Sequence, residues 1–434
     1  MSSKRFSLKQ SIQNFGRLPS RLRRNFASNR IFVYLSVLGP GLIAANAGNE
    51  AAGIATYSTI GAAYGYGLLW AFLPMLLSLI IVQEMCVRMG VVTGQGLADL
   101  IREQFGVRWS ALIMLALLIA NSGVIISQFV GVAQASELLG ISRYITVPVT
   151  SATIWWLVVK GTQKRVEQFF LTISLVFLGY IVSAFLTEPD WPEIGRQFVS
   201  PGFQFEIGYL FTVIALIGTT ITPYMQFFVQ SSMVEKGMDD EDLSVARADV
   251  IVGTTFSVIV AIFIVICTAA TLHVVGIKEI DSAATAAAAL TPFAGQYAKY
   301  LFAIGLFGAS MLAMGVLPLA TAYSISEALG FEKGLSRTFR EAPIFLGIFT
   351  FLILFGAIVA LIPGIPQIQL LILTQFINGL LLPFILVAIV LLSSDPEIMG
   401  EYKNPLLFKL LAWITTVIVS FLSILLIISS ILGF

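Results

Sequence analysis

The stretch Asn46–Gly53, NAGNEAAG, sets a carboxylate, Glu50, in the middle of an apolar run that extends from Ile31 to Leu73. Two asparagines and two glycines surround it, residue types poorly suited to continuing a helix. An ionisable group at the middle of a membrane span is costly unless it meets water, a partner or an ion. The run therefore poses a single question: what occupies Glu50 there?

Composition makes the membrane setting unavoidable. Of 434 residues, 57% are hydrophobic and 11% charged, proportions that exclude an ordinary soluble domain and fit a polytopic membrane protein. Cys86 and Cys267 both lie in apolar runs, and His273 is the one histidine. A disulfide framework, a thiolate metal site and an imidazole cluster are all disfavoured. There is no nucleophile–base pair and no cofactor motif, so the chain does not read as an enzyme and calls for no cofactor. A net charge of +1 favours no charged macromolecule. Nothing points to nucleic acid or to an obligate protein partner; the partners to expect are a lipid bilayer and a small solute.

A bilayer core takes about 20 apolar residues per helix. Eleven spans follow, at 31–62, 66–88, 109–138, 145–160, 167–187, 206–233, 248–274, 299–328, 342–362, 366–393 and 405–432. The amphipathic stretches 95–105 and 282–296 read as short connecting helices. Residues 1–30 carry eight Lys/Arg and no acid, with no apolar core. They form a basic cytoplasmic tail or an organelle transit segment, and not a secretory signal. With the tail in the cytoplasm of a cell (inner or plasma) membrane, 21 of the 25 Lys/Arg fall on cytoplasmic segments and four outside. Glu84, Glu137, Glu167, Glu206 and Glu327 fall near span ends, which leaves Glu50 as the deep carboxylate with no Lys or Arg beside it.

Two spans read as broken. The first carries Gly39-Pro40-Gly41 and then Gly48 and Gly53; the sixth carries GTTITPYMQ, Gly218–Gln226, with Pro223 at its centre. They stand five spans apart, and since five is odd the second unit is inverted relative to the first. Paired discontinuous helices in inverted repeats mark transporters whose site lies at the membrane midplane. The repeats are 31–205 and 206–393, with 405–432 as an extra helix, all within one transporter domain, 31–434.

At these residues the chain resembles a known family. GPGLIAANAGNEAAGIATYSTIGA looks like the first span of the Nramp divalent-metal transporters, MCVRMGVVTGQGLADLIREQFG resembles the segment following their second span, and TPYMQFFVQSS resembles their broken sixth span. The resemblance covers nearly the whole chain. It implies an all-α LeuT-type fold, five plus five inverted spans and one more. It also implies a divalent cation as transported substrate.

The departures bear on which cation. The family's Asp-Pro-Gly-Asn aligns with Glu50, Ala51, Ala52 and Gly53, so the carboxylate stays and the amide is lost. Its methionine before proline aligns with Thr222, and the alanine a turn earlier with Thr219. Two histidines become Tyr224 and Val229, and the acids of the family's proton route align with Ile125 and Gln128. The paired arginines of its ninth span have no counterpart in 342–362. A carboxylate, threonine oxygens and backbone carbonyls, with space at Gly53, suit a hard, partly hydrated ion. The resemblance thus runs to the Nramp-related magnesium transporters, a branch that moves Mg²⁺ and Mn²⁺ without proton coupling. Glu50, Gly53, Thr219 and Thr222 are the candidate metal residues. Met225 would restore a thioether only in a different register of span 6.

Blander roles stand beside these. Glu50 could be a protonated, hydrogen-bonded structural carboxyl, Thr219 and Thr222 could bond their own helix, Asn46 and Asn49 could cap the broken halves, and Gln128 could be an interhelical contact. Gln375 and Asn378 could face the site or only pack. A proton-coupled Mn²⁺/Fe²⁺ transporter, an organic-solute carrier and a non-transporting receptor of the same fold remain alternatives.

Overall fold

The computed structural model describes residues 39–202, 207–278, 280, 297–362 and 367–432; the basic tail and the stretch 282–296 lie outside them. Every described element is helical. In chain order these are α1 (Pro40–Ala47), α2 (Ala51–Tyr64), α3 (Phe72–Thr93), α4 (Leu97–Phe105), α5 (Val107–Leu138), α6 (Arg143–Lys160), α7 (Gln163–Ser174), α8 (Leu178–Leu186) and α9 (Trp191–Val199). There follow α10 (Ile207–Thr220), α11 (Pro223–Glu235), α12 (Leu243–Thr268), α13 (Tyr297–Leu329), α14 (Pro343–Leu361), α15 (Gln367–Ser394), α16 (Pro396–Met399) and α17 (Leu406–Leu432).

Each expected span meets helix. The first is α1 plus α2, the fifth is α7 and α8 joined by the 3₁₀ turn Leu175–Phe177, and the sixth is α10 plus α11. Eight described helices are long and apolar enough to cross a membrane, and a ninth follows if Leu381–Ser394 and Pro396–Tyr402, bent by 57°, count as one span. The first and fourth expected spans are not among them: the break leaves neither half of the first long enough, and α6, the fourth, is helical but does not meet the same length and apolarity. The amphipathic stretch 95–105 is α4, its one-sided pattern laid along the bundle end. The short helix α9 was not expected, although Asp190 signals it: its Oδ1 accepts from Glu193 N at 3.1 Å, an N-cap one residue before Trp191-Pro192.

The centre of the bundle is α13, in which 89% of the most apolar window is buried, against 28% in α17 at the rim. α13 packs along α5, and α1 packs on α12. That second contact is backbone to backbone. A Cβ on Gly253 would lie 2.5 Å from Leu42 Cα, and one on Gly41 would lie 2.9 Å from Val250 N. Small residues let helices approach where lipid offers no hydrophobic drive. The start of α1 is held by Asp249, whose two carboxylate oxygens accept from Gly39 N (2.8 Å), Gly41 N (2.8 Å) and Leu42 N (3.3 Å). These are the N–H groups a helix leaves unpaired at its start.

Asp249 and Glu327, near the ends of their spans, are as buried in the protein as Glu50, each 1% exposed. α12 begins five residues earlier than expected. Glu327 lies under Gly96, where any Cβ would meet its carboxyl at 2.0 Å. It accepts from Ser231 Oγ at 2.6 Å and pairs with Lys333 at 3.0 Å. Burial works against the Lys333 charge, but Glu327 and Asp99 outweigh it and hold the ammonium above its ordinary range. Both extra carboxylates have backbone or cationic partners that the sequence alone does not display. Other ion pairs join the loops assigned to one side: Glu84 with Arg88 and Arg247, Glu167 with Lys236, and Asp99 with Lys333. Those basic loops gather at one end of the bundle.

Candidate metal centre

The break in the first span lies between Ala47 and Ala51. Glu50 is the N-cap of α2, with extended backbone (φ −66°, ψ 177°), and it is 1% exposed. The positive end of the α2 dipole favours its charge. Gln128 on α5 donates from Nε2 to Glu50 Oε2 at 2.6 Å. The same amide accepts from Ala51 N through Oε1 at 3.2 Å. These two bonds fix which end of the amide meets the carboxylate. A carboxamide in that orientation donates to Glu50 and has no site from which to relay a proton.

The break in the sixth span lies at Ile221–Thr222. Pro223 opens α11 and holds Thr222 extended (φ −93°, ψ 145°), as a proline does to the residue before it. Thr222 is 1% exposed, and its hydroxyl lies beside the Tyr224 phenol without a well-aligned hydrogen bond. A buried hydroxyl so placed has lone pairs free for a ligand or water.

The two breaks meet with their halves crossed. Tyr224 OH at the start of α11 donates to Ala47 O at the end of α1, 2.9 Å. Met225 packs on the same end, with Sδ and Cε each 3.1 Å from where a Cβ on Gly48 would be. On the other side, Tyr57 OH of α2 lies 3.3 Å from Thr220 Oγ1 at the end of α10.

The four candidate residues therefore separate. Glu50 and Thr222 sit at the two breaks, each 1% exposed. Gly53 does not leave open space: a Cβ there would lie 2.7 Å from Gly48 O and 3.3 Å from Thr219 Cγ2, so the carbonyl and the methyl already fill it. Thr219 turns its hydroxyl to Thr56 Oγ1 at 3.5 Å. It is Thr220, not Thr219 or Thr222, that bonds back to its own helix, at Leu216 O. Asn49 does not cap a half-helix; its Nδ2 reaches Ser257 O of α12 at 3.0 Å. Asn46 donates to Leu42 O of its own helix at 2.9 Å. The side chains of Gln375 and Asn378 lie outside the described residues.

Two residues at the breaks were undervalued by sequence. Gln128 on α5 makes its contact between helices with Glu50 itself. Met225 reaches the first-span break with no shift of register, because Thr222 and Met225 are three residues apart and span the first turn of α11. Among the described residues no three His, Cys, Asp or Glu come together, so any cation here depends on one carboxylate plus hydroxyl, carbonyl and thioether groups.

Comparison with known proteins agrees with this architecture. The Nramp family profile, described as natural resistance-associated macrophage protein-like, matches residues 41–429. The chain is 26% identical over 397 residues to the divalent metal cation transporter MntH of Deinococcus radiodurans, covering 89% of this chain and 88% of that one. It is 27% identical over 421 residues to the MntH of a Nostoc species, covering 92% of each. In fold it is similar to the manganese transporter of Eremococcus coleocola (TM-score 0.72, 18% identity, covering 92% of this chain and 87% of that one). It is also similar to Mhp1, a nucleobase-cation-symport-1 family transporter (TM-score 0.56, 14% identity, covering 89% and 91%). The relatives are membrane transporters and not enzymes.

Proposed function

This chain belongs to the Nramp family, and from that premise we propose that it carries divalent metal cations, Mn²⁺ and Mg²⁺ foremost, across a cell membrane without a coupled proton. The observation that carries this reading is the Gln128–Glu50 hydrogen bond. Glu50 supplies the charge that balances the ion, Thr222 Oγ1 a hydroxyl oxygen, and the ends of α1 and α10 carbonyl oxygens. Such a set suits a hard cation that keeps part of its water. Met225 adds a polarisable neighbour at Gly48, which favours Mn²⁺ over Mg²⁺. An amide where a proton carrier would stand leaves metal movement to the ion gradient and the membrane voltage.

In this reading 31–205 and 206–393 are inverted repeats that rock about the site. The basic tail and the basic loops face the cytoplasm. Proteoliposomes holding a metal-sensitive and a proton-sensitive dye test the proposal. Uptake of Mn²⁺ or Mg²⁺ with an unchanged internal pH is expected. Metal-dependent acidification would refute the uncoupled mechanism, and absence of metal uptake would refute the substrate.

A further inference from the structure

A run of buried polar groups leads away from the ion site along the seam between α3 and α11. On α11, Gln226 and Gln230 stand four residues apart on one face of the helix, and Thr222, the extended residue that caps it, precedes Gln226 by four; each is at most 1% exposed. At about 1.5 Å of rise per residue, successive rungs stand roughly 6 Å apart. Across the seam, Cys86 Sγ donates to Gln226 Oε1 at 3.8 Å. One turn further, a Cβ on Gly90 would lie 3.0 Å from Gln230 O and 3.1 Å from its Cγ, so the two helices approach closely there and a larger residue would press on Gln230.

Three buried polar atoms have no hydrogen-bond partner, Gln230 Oε1 and both amide atoms of Gln83, which is 0% exposed on α3, and the Thr222 hydroxyl has only the Tyr224 phenol beside it. Buried polar atoms are rarely left so in native proteins, and water or an ion is the usual remedy. At its far end the seam is shut. Gln230 Nε2 donates to Gln95 O at 3.0 Å, and Gln95 lines a surface depression with Thr93, Glu103 and Glu397.

We infer that this seam is the route by which the cation leaves the site, partly hydrated, passing Thr222, Gln226 and Gln230 in turn, with the Gln230–Gln95 contact as its gate. The inference rests on the reading of Glu50 and Thr222 as the ion site. Neutral amide and hydroxyl oxygens replace hydration water without binding a divalent ion so tightly that it stays. Spacing by single helical turns lets one group take over before the previous one is released.

Cys86 provides the test, because Cys267→Ser leaves it as the sole thiol. The full chain in proteoliposomes is exposed to a membrane-impermeant methanethiosulfonate, with and without Mn²⁺. Cys86 should react during Mn²⁺ uptake, from the side that carries α4, and remain protected without Mn²⁺. Gln226→Leu should lower Mn²⁺ uptake about tenfold while Mn²⁺ binding measured by calorimetry stays within about twofold, the pattern of a lost transport step and not of lost affinity. If Gln226→Leu fails to fold, Cys86 labelling still decides, since it needs no change in the seam beyond the thiol reagent. An unreactive Cys86 during active uptake overturns the route. So does labelling that ignores Mn²⁺ together with normal uptake by Gln226→Leu, which would mean structural water only. Glu50→Ala in the same background keeps the two ideas apart: retained Mn²⁺ binding there would sink the site reading, whatever Cys86 does.

Discussion

Gln128→Glu would set a second carboxylate against Glu50. The Gln128 amide nitrogen lies 2.6 Å from Glu50 Oε2, so the two carboxylates would stand within about 4 Å, centre to centre. At that separation, with an effective dielectric constant of about 20, their repulsion is about 4 kcal/mol. That is close to a thousandfold in proton occupancy, so the pair would share one proton at neutral pH, as closely placed carboxylates do. A divalent cation binding to Glu50 would have to expel it. The wild-type amide has no such proton to give. Calorimetric titration with Mn²⁺ in two buffers of different ionisation heat counts the protons released. The expectation is none for the wild type and about one for the variant, the pair titrating as a unit. Metal uptake by the variant should also become steeper with rising pH, since the proton competes with the metal. Proton release by the wild type, or none by Gln128→Glu with binding intact, would refute the assignment of Gln128 as the residue that makes the site proton-free.

Three further outcomes follow from the same geometry. Glu50→Ala should abolish Mn²⁺ and Mg²⁺ uptake while the protein stays folded, because the charge that neutralises the ion is gone; uptake at the wild-type rate with equal insertion would rule out the site. Thr222→Met should raise the Mg²⁺ concentration that halves Mn²⁺ uptake, since a thioether displaces room for water and favours the softer ion; an unchanged or lower concentration would mean that Thr222 does not face the metal. Gly53→Ala should weaken Mn²⁺ binding and lower the melting temperature in detergent. Its methyl would lie 2.7 Å from Gly48 O, an overpacking cost of about 1–3 kcal/mol, and a variant equal to wild type in both measurements would refute the close packing.

The helical spans were legible because lipid imposes their apolar length, and Glu50 stood out against that background. Pro223 likewise announced the sixth-span break, since its ring acts on the residue beside it. What stayed hidden depends on contacts between distant segments. Asp249 reads as a residue at a span boundary until Gly39, Gly41 and Leu42 are seen to give it their N–H groups, 207 to 210 residues away in sequence. Gly53 reads as vacant room until the Gly48 carbonyl is found in it. Met225 was set aside because alignment by position treats one turn of helix as one point, whereas Thr222 and Met225 both border the crossing.

The crossing of the broken helices has a mechanical consequence. Tyr224 and Met225 tie α11 to the end of α1, while Tyr57, Gly53 and Thr219 tie α2 to the end of α10. Each tie joins a half of one span to the opposite half of the other, and Gly48–Glu50 and Ile221–Thr222 are left as joints. Bending at a joint spares the hydrogen bonds within each half, so one pair can tilt while the other keeps its shape. The cation would sit on the axis of that tilt, where a small change in its coordination has the longest lever arm on both mouths of the pathway.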